Sequence, residues 1–345
     1  SGGDLTKYRY NRPSQTTYPD LAFNAESDGA ALTFYLERLP VADTFNLVYA
    51  RSEDDTDARP FAGDDNALED IDFYSVQLNS QLPFVDDAEL ALQWFRVDNV
   101  RPTGDNVIRE KFNELSRMAE LSGFGQLAPG TPDFPDSLGY VDKYTVQFEK
   151  EKIFDWPIDV FASVAWSRSK PNGKRVTIGG EPLETALANQ LNQLDQLPPE
   201  EKQKLPASVM TDLERLSRLP ETLYLVSPDN QESQSGNAFY AGLRYHVASE
   251  RFNQPKIGVE YFDGSQYWVG LNIAALDPFQ KLNTRGQVWE LYWVQPLVRQ
   301  ALQMRTGYQS IDRDYTETRM SGLYGAPRKT DESDELLYLS LEYTF

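Results

Sequence analysis

Cysteine is absent from this 345-residue chain, so neither a disulfide framework nor a thiolate metal site can form. Histidine occurs once, at His246, which rules out a two-histidine metal motif and leaves no Ser-His-Asp arrangement to assemble. Long apolar runs are also missing. With no stretch of about 18 consecutive apolar residues, a helical membrane span is excluded. Basic charge is scarce: 33 Lys and Arg stand against 53 Asp and Glu, for a formal net charge of −20. No basic cluster offsets that surplus locally, so nucleic-acid binding through phosphate neutralisation is excluded and cations are the expected company. The pair Gly123 and Gly125 follows a helical stretch rather than a strand, which is the wrong context for a phosphate loop.

Aromatic residues are plentiful, with 19 Tyr and 18 Phe in a chain whose mean hydropathy is −0.56. They recur in a two-residue period. The last ten residues, LLYLSLEYTF, place Leu337, Leu339, Leu341, Tyr343 and Phe345 on one face and Leu336, Tyr338, Ser340, Glu342 and Thr344 on the other. Ten earlier segments repeat this alternation, beginning at Ala31, Phe45, Tyr74, Leu90, Tyr144, Asp159, Phe239, Ile257, Trp289 and Leu302. Helical spacing interrupts it in two places. Ile108, Phe112, Leu115 and Met118 mark a helix over 106–121; Leu183, Leu187, Leu191 and Leu194, then Leu205, Val209, Leu213 and Leu216, mark a helical hairpin around Pro198-Pro199.

Short and long connections alternate strictly along these eleven strands. Such a trimmed rim opposite an elaborate one is the pattern of a transmembrane, antiparallel, up-and-down β-barrel, with short periplasmic turns and longer extracellular loops. A soluble sandwich mixes loop lengths at both ends. The expectation is therefore an all-β outer-membrane barrel over residues 1–345, with a helical extracellular insertion at 170–236. Because single-chain bacterial barrels have even strand numbers, eleven strands predict an odd number upstream of Ser1, with residues 4–10 as an alternative twelfth strand. No signal peptide precedes Ser1, which for an exported protein implies a processed or partial chain.

Two patches, LDPFQKLNTRGQVWELYWVQP at Leu276 to Pro296 and RPSQTTYPDLAFNAESDGAALTFY at Arg12 to Tyr35, together with the closing strand, resemble a family of proteobacterial outer-membrane proteins known only as a domain of unknown function. The resemblance implies an outer-membrane location and a barrel preceded by a signal peptide and a segment of coiled-coil character. It implies no activity.

On this register the barrel interior receives Glu37, Gln77, Gln147, Glu149, Asp159, Arg244, His246, Glu260, Glu290, Arg305 and Glu342. Acid outweighs base in that set, which favours cations in a narrow water-filled channel; the plainer alternative is that each acid pairs with a Lys, Arg or Tyr to fill the barrel. His246 reads as a hydrogen-bonded wall residue. The acidic run Glu53-Asp54-Asp55-Thr56-Asp57, with Asp64 and Asp65, has oxygen ligands enough for calcium but not the spacing of an EF-hand, and such runs are usually solvated. No enzyme activity, metal or cofactor is expected. The leading expectation is a porin-like channel for small polar or cationic solutes, in contact with outer-membrane lipid. The alternative is a structural barrel that anchors or sheathes a protein such as a periplasmic or surface electron carrier, met at the helical loops.

Overall fold

Each segment in which apolar and polar residues alternate becomes a strand in the computed structural model. The structure describes residues 28–36, 42–51, 71–82, 85, 88–102, 105–121, 123–125, 128, 130–153, 156–203, 211, 216, 223–271, 281–298, 302–316 and 323–343. Glu37, the acidic run at 53–65, the segment 4–10 and most of the expected helix at 205–216 lie outside these residues.

Eleven strands form one antiparallel sheet in which sequence neighbours are sheet neighbours throughout. They are β1 (Asp28–Tyr35), β2 (Thr44–Arg51), β3 (Asp72–Gln81), β4 (Ala88–Val100), β6 (Gly139–Lys150), β7 (Ile158–Pro171), β10 (Ser235–His246), β11 (Lys256–Gly264), β12 (Arg285–Val298), β13 (Leu302–Tyr315) and β14 (Lys329–Tyr343). Among the described residues the sheet is open, with β1 and β14 as its edges. Connections at one end are short: 36–43, 82–87, 151–157, 247–255 and 299–301. Those at the other end, 52–71, 101–138, 172–234, 265–284 and 316–328, are longer. β1 and β14 both run from the long-loop end to the short-turn end, so they point in the same direction.

Side chains alternate between two faces, and the faces differ in kind. One is apolar and exposed: every strand contributes a large apolar residue to it, among them Leu32 (61% exposed), Leu243 (46%), Leu291 (55%) and Leu339 (66%). The other face is buried and largely polar, carrying Asn46, Ser75, Gln77, Gln93, Thr145, Ser163, Glu260, Glu290, Arg305 and Gln309. We call it the inner face.

The last two strands are longer than their alternation indicates. A polar loop is the sequence expectation for Asp312 to Glu335, yet β13 continues to Tyr315 and β14 begins at Lys329. Polar cross-strand pairs carry the ladder past the apolar belt: Arg313 pairs with Asp334, and the Ser333 hydroxyl donates to Asp312 Oδ1 at 2.6 Å.

At the long-loop end the connections fold together. Helix α1 (Asp105–Leu121) presents Ile108, Phe112, Leu115 and Ala119 on one side, and α2 (Leu183–Gln196) presents Leu183, Leu187 and Leu194. These faces enter one buried cluster with Leu216, Tyr224, Leu225 and Tyr324, and that cluster continues onto inner-face Phe73, Phe95, Val97 and Val141. The α2 face therefore buries within the chain. The following turn, α3 (Pro199–Lys202), starts on Pro198 and Pro199, whose rings end α2 and suit a first helical turn. A three-stranded ribbon of β5 (Pro132–Asp133), β8 (Thr177–Ile178) and β9 (Glu181–Pro182), for which the sequence shows no period, ties loop 101–138 to loop 172–234. Asn230, fully buried, donates from Nδ2 to the carbonyls of Leu138 at 3.0 Å and Lys174 at 2.8 Å. Loop 316–328 joins through a bridge between Leu225 and Tyr324.

Candidate functional site

Register sets two carboxylates side by side on the inner face, because Gly242, Glu260, Glu290 and Gln309 lie directly across from one another on β10 to β13. Like charges in that position repel. The opposing charge comes from a loop: Lys281, in a single 3-10 turn between β11 and β12, reaches Glu260 Oε2 at 2.5 Å and also Glu290 Oε2. Arg305 and the Tyr338 hydroxyl bind Glu290 Oε1, Gln309 Nε2 donates to Glu290 Oε2 at 3.0 Å, and the Tyr240 hydroxyl donates to Glu260 Oε2 at 2.6 Å. The Arg305 guanidinium also lies 4.2 Å from the centre of the Tyr292 ring. Lys281, Glu260, Glu290 and Arg305 are each at most 3% exposed. Two acids meet two cations, so the cluster is neutral and its carboxylate oxygens are already occupied by donors.

Lys281 brings its loop with it. Trp268, fully buried, donates from Nε1 to the Leu282 carbonyl at 2.7 Å, and Arg285 Nε donates to the Trp268 carbonyl at 3.1 Å. The loop then crosses the inner face. Val269 N–H donates to Ser167 Oγ of β7 at 3.2 Å, and Lys143 of β6 donates to the Gly270 carbonyl, its ammonium 4.9 Å from the Trp268 ring centre. Trp268 and Leu282 of the loop join Tyr240, Phe262, Val288 and Ile311 of the sheet in one apolar patch. The described residues of this connection, 265–271 and 281–284, thus form an inward strap from β11 and β12 to β6 and β7.

Close ring packing completes this wall. Tyr292 lies across the strand from Gly258, and Tyr338 from Gly307. A Cβ added at Gly258 would fall 2.1 Å from Tyr292 Cζ, and one at Gly307 would fall 2.5 Å from the Tyr338 hydroxyl oxygen. Only glycine lets these rings lie flat on the backbone and aim their hydroxyls at the carboxylates.

The structure brings Glu260, Glu290 and Arg305 of the sequence-derived set into this cluster. Asp159, Arg244 and His246 form a second group toward the short turns, with His246 Nε2 2.5 Å and Arg244 Nε 3.5 Å from Asp159 Oδ2. Gln147 Nε2 donates to Glu149 Oε1 at 2.7 Å, and Gln77 Nε2 to Asn79 Oδ1 at 2.8 Å. Glu342 of β14 pairs in register with Gln303 of β13; the Glu342 side chain is outside the described residues. Sequence reasoning missed Lys281, Lys143, Tyr240 and Tyr338. Lys143, Lys256 and Lys281 face the same interior as the acids, so the acid surplus inferred from strand register alone is offset. A signal for the strap did exist: Trp268, Val269, Leu271 and Leu282 are more apolar surface than a solvated connection needs.

In the loop assembly, Arg175 pairs with Glu184 at 2.6 Å and the Tyr224 hydroxyl donates to Glu184 Oε2 at 3.2 Å. Burial, reinforced by the Glu184 carboxylate, pushes the Tyr224 phenol well above its ordinary range. Among the described residues no three His, Asp or Glu side chains converge as metal ligands, and no helix is long and apolar enough to cross a membrane.

Among solved structures, in-vitro folded OmpT, an outer membrane protein of Vibrio cholerae, aligns with 97% of this chain and 74% of its own at 8% identity, with a TM-score of 0.38. No curated protein matches. The family model described as "Protein of unknown function (DUF3373)" matches residues 1–340, so the chain belongs to the DUF3373 family.

Proposed function

We propose that this chain is a bacterial outer-membrane β-barrel acting as a porin-like channel for small polar or cationic solutes, narrowed by the strap of residues 265–271 and 281–284. The observation that carries the reading is the inversion of the sheet: all eleven strands expose large apolar side chains on one face, and β2, β3, β4, β6, β7, β11, β12 and β13 bury polar ones on the other. Water penalises that arrangement, whereas lipid outside and a hydrated bore inside stabilise it. Lipid also requires that β1 and β14 find backbone partners. Since the two edges run the same way, antiparallel closure takes an odd number of further strands. The neutral Lys281 cluster weakens the case for strong cation preference. Planar-bilayer recordings of the refolded chain test the proposal: stepwise conductance is expected, and silence at every voltage overturns it.

One observation favours the second reading, a barrel that holds a protein partner such as a periplasmic or surface electron carrier. The core shared by α1, α2 and inner-face Phe73, Phe95 and Val97 occupies the long-loop end. Purification from native membranes in mild detergent separates the two readings, because a holder brings its partner in fixed ratio and a porin emerges without one.

A further inference from the structure

We propose that the outward faces of β4, β6 and β7, at the long-loop end, bind the phosphate groups of an anionic lipid in the adjoining membrane leaflet; this rests on the membrane-barrel reading and is independent of conduction. Register stacks the residues in rows there. Trp94, Tyr144 and Trp166 lie side by side, with Tyr144 and Trp166 each 48% exposed. Two residues further toward the long loops, about 7 Å away, Arg96, Asp142 and Arg168 form the next row, and Tyr140 pairs with Lys170 in the row beyond. A belt of rings followed directly by cations matches a lipid, whose acyl chains give way to an interfacial level and then to phosphate.

In the row of charges the acid is the more buried partner. Asp142 Oδ1 accepts from Arg96 Nε at 2.8 Å and from Trp94 Nε1 at 3.1 Å, while Oδ2 accepts from Arg96 Nη2 at 3.0 Å. The Asp142 side chain is 10% exposed, against 29% for Arg96. The Arg96 guanidinium lies 4.1 Å from the centre of the Tyr140 ring and 5.5 Å from that of Trp94, which fixes its plane. Because the bond to Asp142 uses Nε and Nη2, Nη1 is left for an acceptor from outside, in the fork geometry that suits phosphate. Arg168 is exposed and Lys170 half-buried, and neither forms an ion pair among the described residues.

Charge is spread unevenly around the sheet. On β4, β6 and β7 the outward charges at this end are Arg96, Arg168 and Lys170 against Asp142 and half-buried Asp98. On β11, β13 and β14 they are Asp263, Asp312, Asp331 and Glu335 against Lys329, a set that repels phosphate. The acidic connection 52–71 attaches at β2 and β3, outside the cationic sector, and the connections leaving that sector, 101–138 and 172–234, carry both signs. Position therefore matters as well as charge. Arg96 and Arg168 stand on strands separated by β6, about 10 Å apart, so a headgroup with two phosphates can engage both.

The test uses the full chain refolded in phosphatidylcholine vesicles that contain a minor fraction of bisphosphoryl lipid A, then extracted in mild detergent, with the lipid retained per chain counted by mass spectrometry. Lipid A should be enriched over phosphatidylcholine, and monophosphoryl lipid A less so. Arg168→Gln should lower retention about fivefold and Arg168→Gln with Lys170→Gln about twenty-fivefold, the effect of one and two cations near a charged membrane surface; Lys170→Gln alone serves if Arg168→Gln does not fold. Arg251→Gln, which removes the same charge at the short-turn end, should leave retention unchanged. No enrichment of lipid A, or equal losses from Arg168→Gln and Arg251→Gln, overturns the site. A dimer that forms without lipid A and is dissociated by Arg168→Gln also overturns it, because a second copy would then cover the sector. Flotation with phosphatidylcholine vesicles separates the two readings: a chain that floats but retains no lipid A loses this site alone, and one that does not float loses the membrane reading as well.

Discussion

Replacing Lys281 by Met tests whether one loop cation holds the strap inside the sheet. The substitution preserves length and apolar stem but leaves Glu260 with the Tyr240 hydroxyl and Glu290 with Arg305, Tyr338 and Gln309. Two facing carboxylates at most 3% exposed then share a single cation. Removing one partner of a buried pair costs about 3–5 kcal/mol. Arg305 still covers Glu290, so the lower end of that range is expected. The chain can lower the cost by letting the strap leave, a route that Trp268, whose Nε1 is bonded to the Leu282 carbonyl, resists. Urea unfolding in lipid vesicles, followed by tryptophan fluorescence, measures the loss. Lys281→Met with Glu260→Gln removes one charge of each sign and should recover about 2 kcal/mol relative to the sum of the single variants. Single-channel conductance should rise in Lys281→Met if the strap loosens. A stability loss under about 1 kcal/mol with no coupling to Glu260 would refute the argument that this cluster fastens the loop.

Gly258→Ala should destabilise the sheet by about 1–3 kcal/mol, since the new Cβ meets Tyr292 Cζ at 2.1 Å; Tyr292→Ala in the same chain should return part of that loss in the same urea titration. Leu291→Arg, on the exposed apolar face, should cost about 2–4 kcal/mol in a bilayer if that face meets lipid, and an unchanged folding free energy in vesicles would sink the membrane assignment. Asn230→Ala should remove about 1–3 kcal/mol of local stability by stranding the Leu138 and Lys174 carbonyls it bridges, seen as faster tryptic cleavage after Lys174 or Arg175 with the sheet still folded.

The eleven strands were legible because a sheet with one apolar and one polar face must repeat every two residues, as Trp289, Leu291 and Trp293 do against Glu290 and Tyr292. The helices were legible for the same reason at a different period, through Ile108, Phe112 and Leu115 and through Leu183, Leu187 and Leu194. Where polar residues continue a ladder, as in β13 and β14 beyond the apolar belt, alternation vanishes and the strand ends are lost to sight. The site divides along the same line. Glu260, Glu290 and Arg305 could be placed inside because they sit on strands, whereas Lys281 belongs to a connection without period, and its position follows only from where Trp268 and Leu282 bury. This has a physical consequence for selectivity. Strand register alone puts an excess of acid in the interior, but Lys281 enters on a loop and Lys143 is turned toward that loop's backbone. A formal charge of −20 on the whole chain therefore does not set the field inside it. The interior charge depends on which loop cations fold in, so substitutions in 265–271 and 281–284 should alter ion preference more than substitutions of the same charge at the exposed turn residues Lys152 and Trp156.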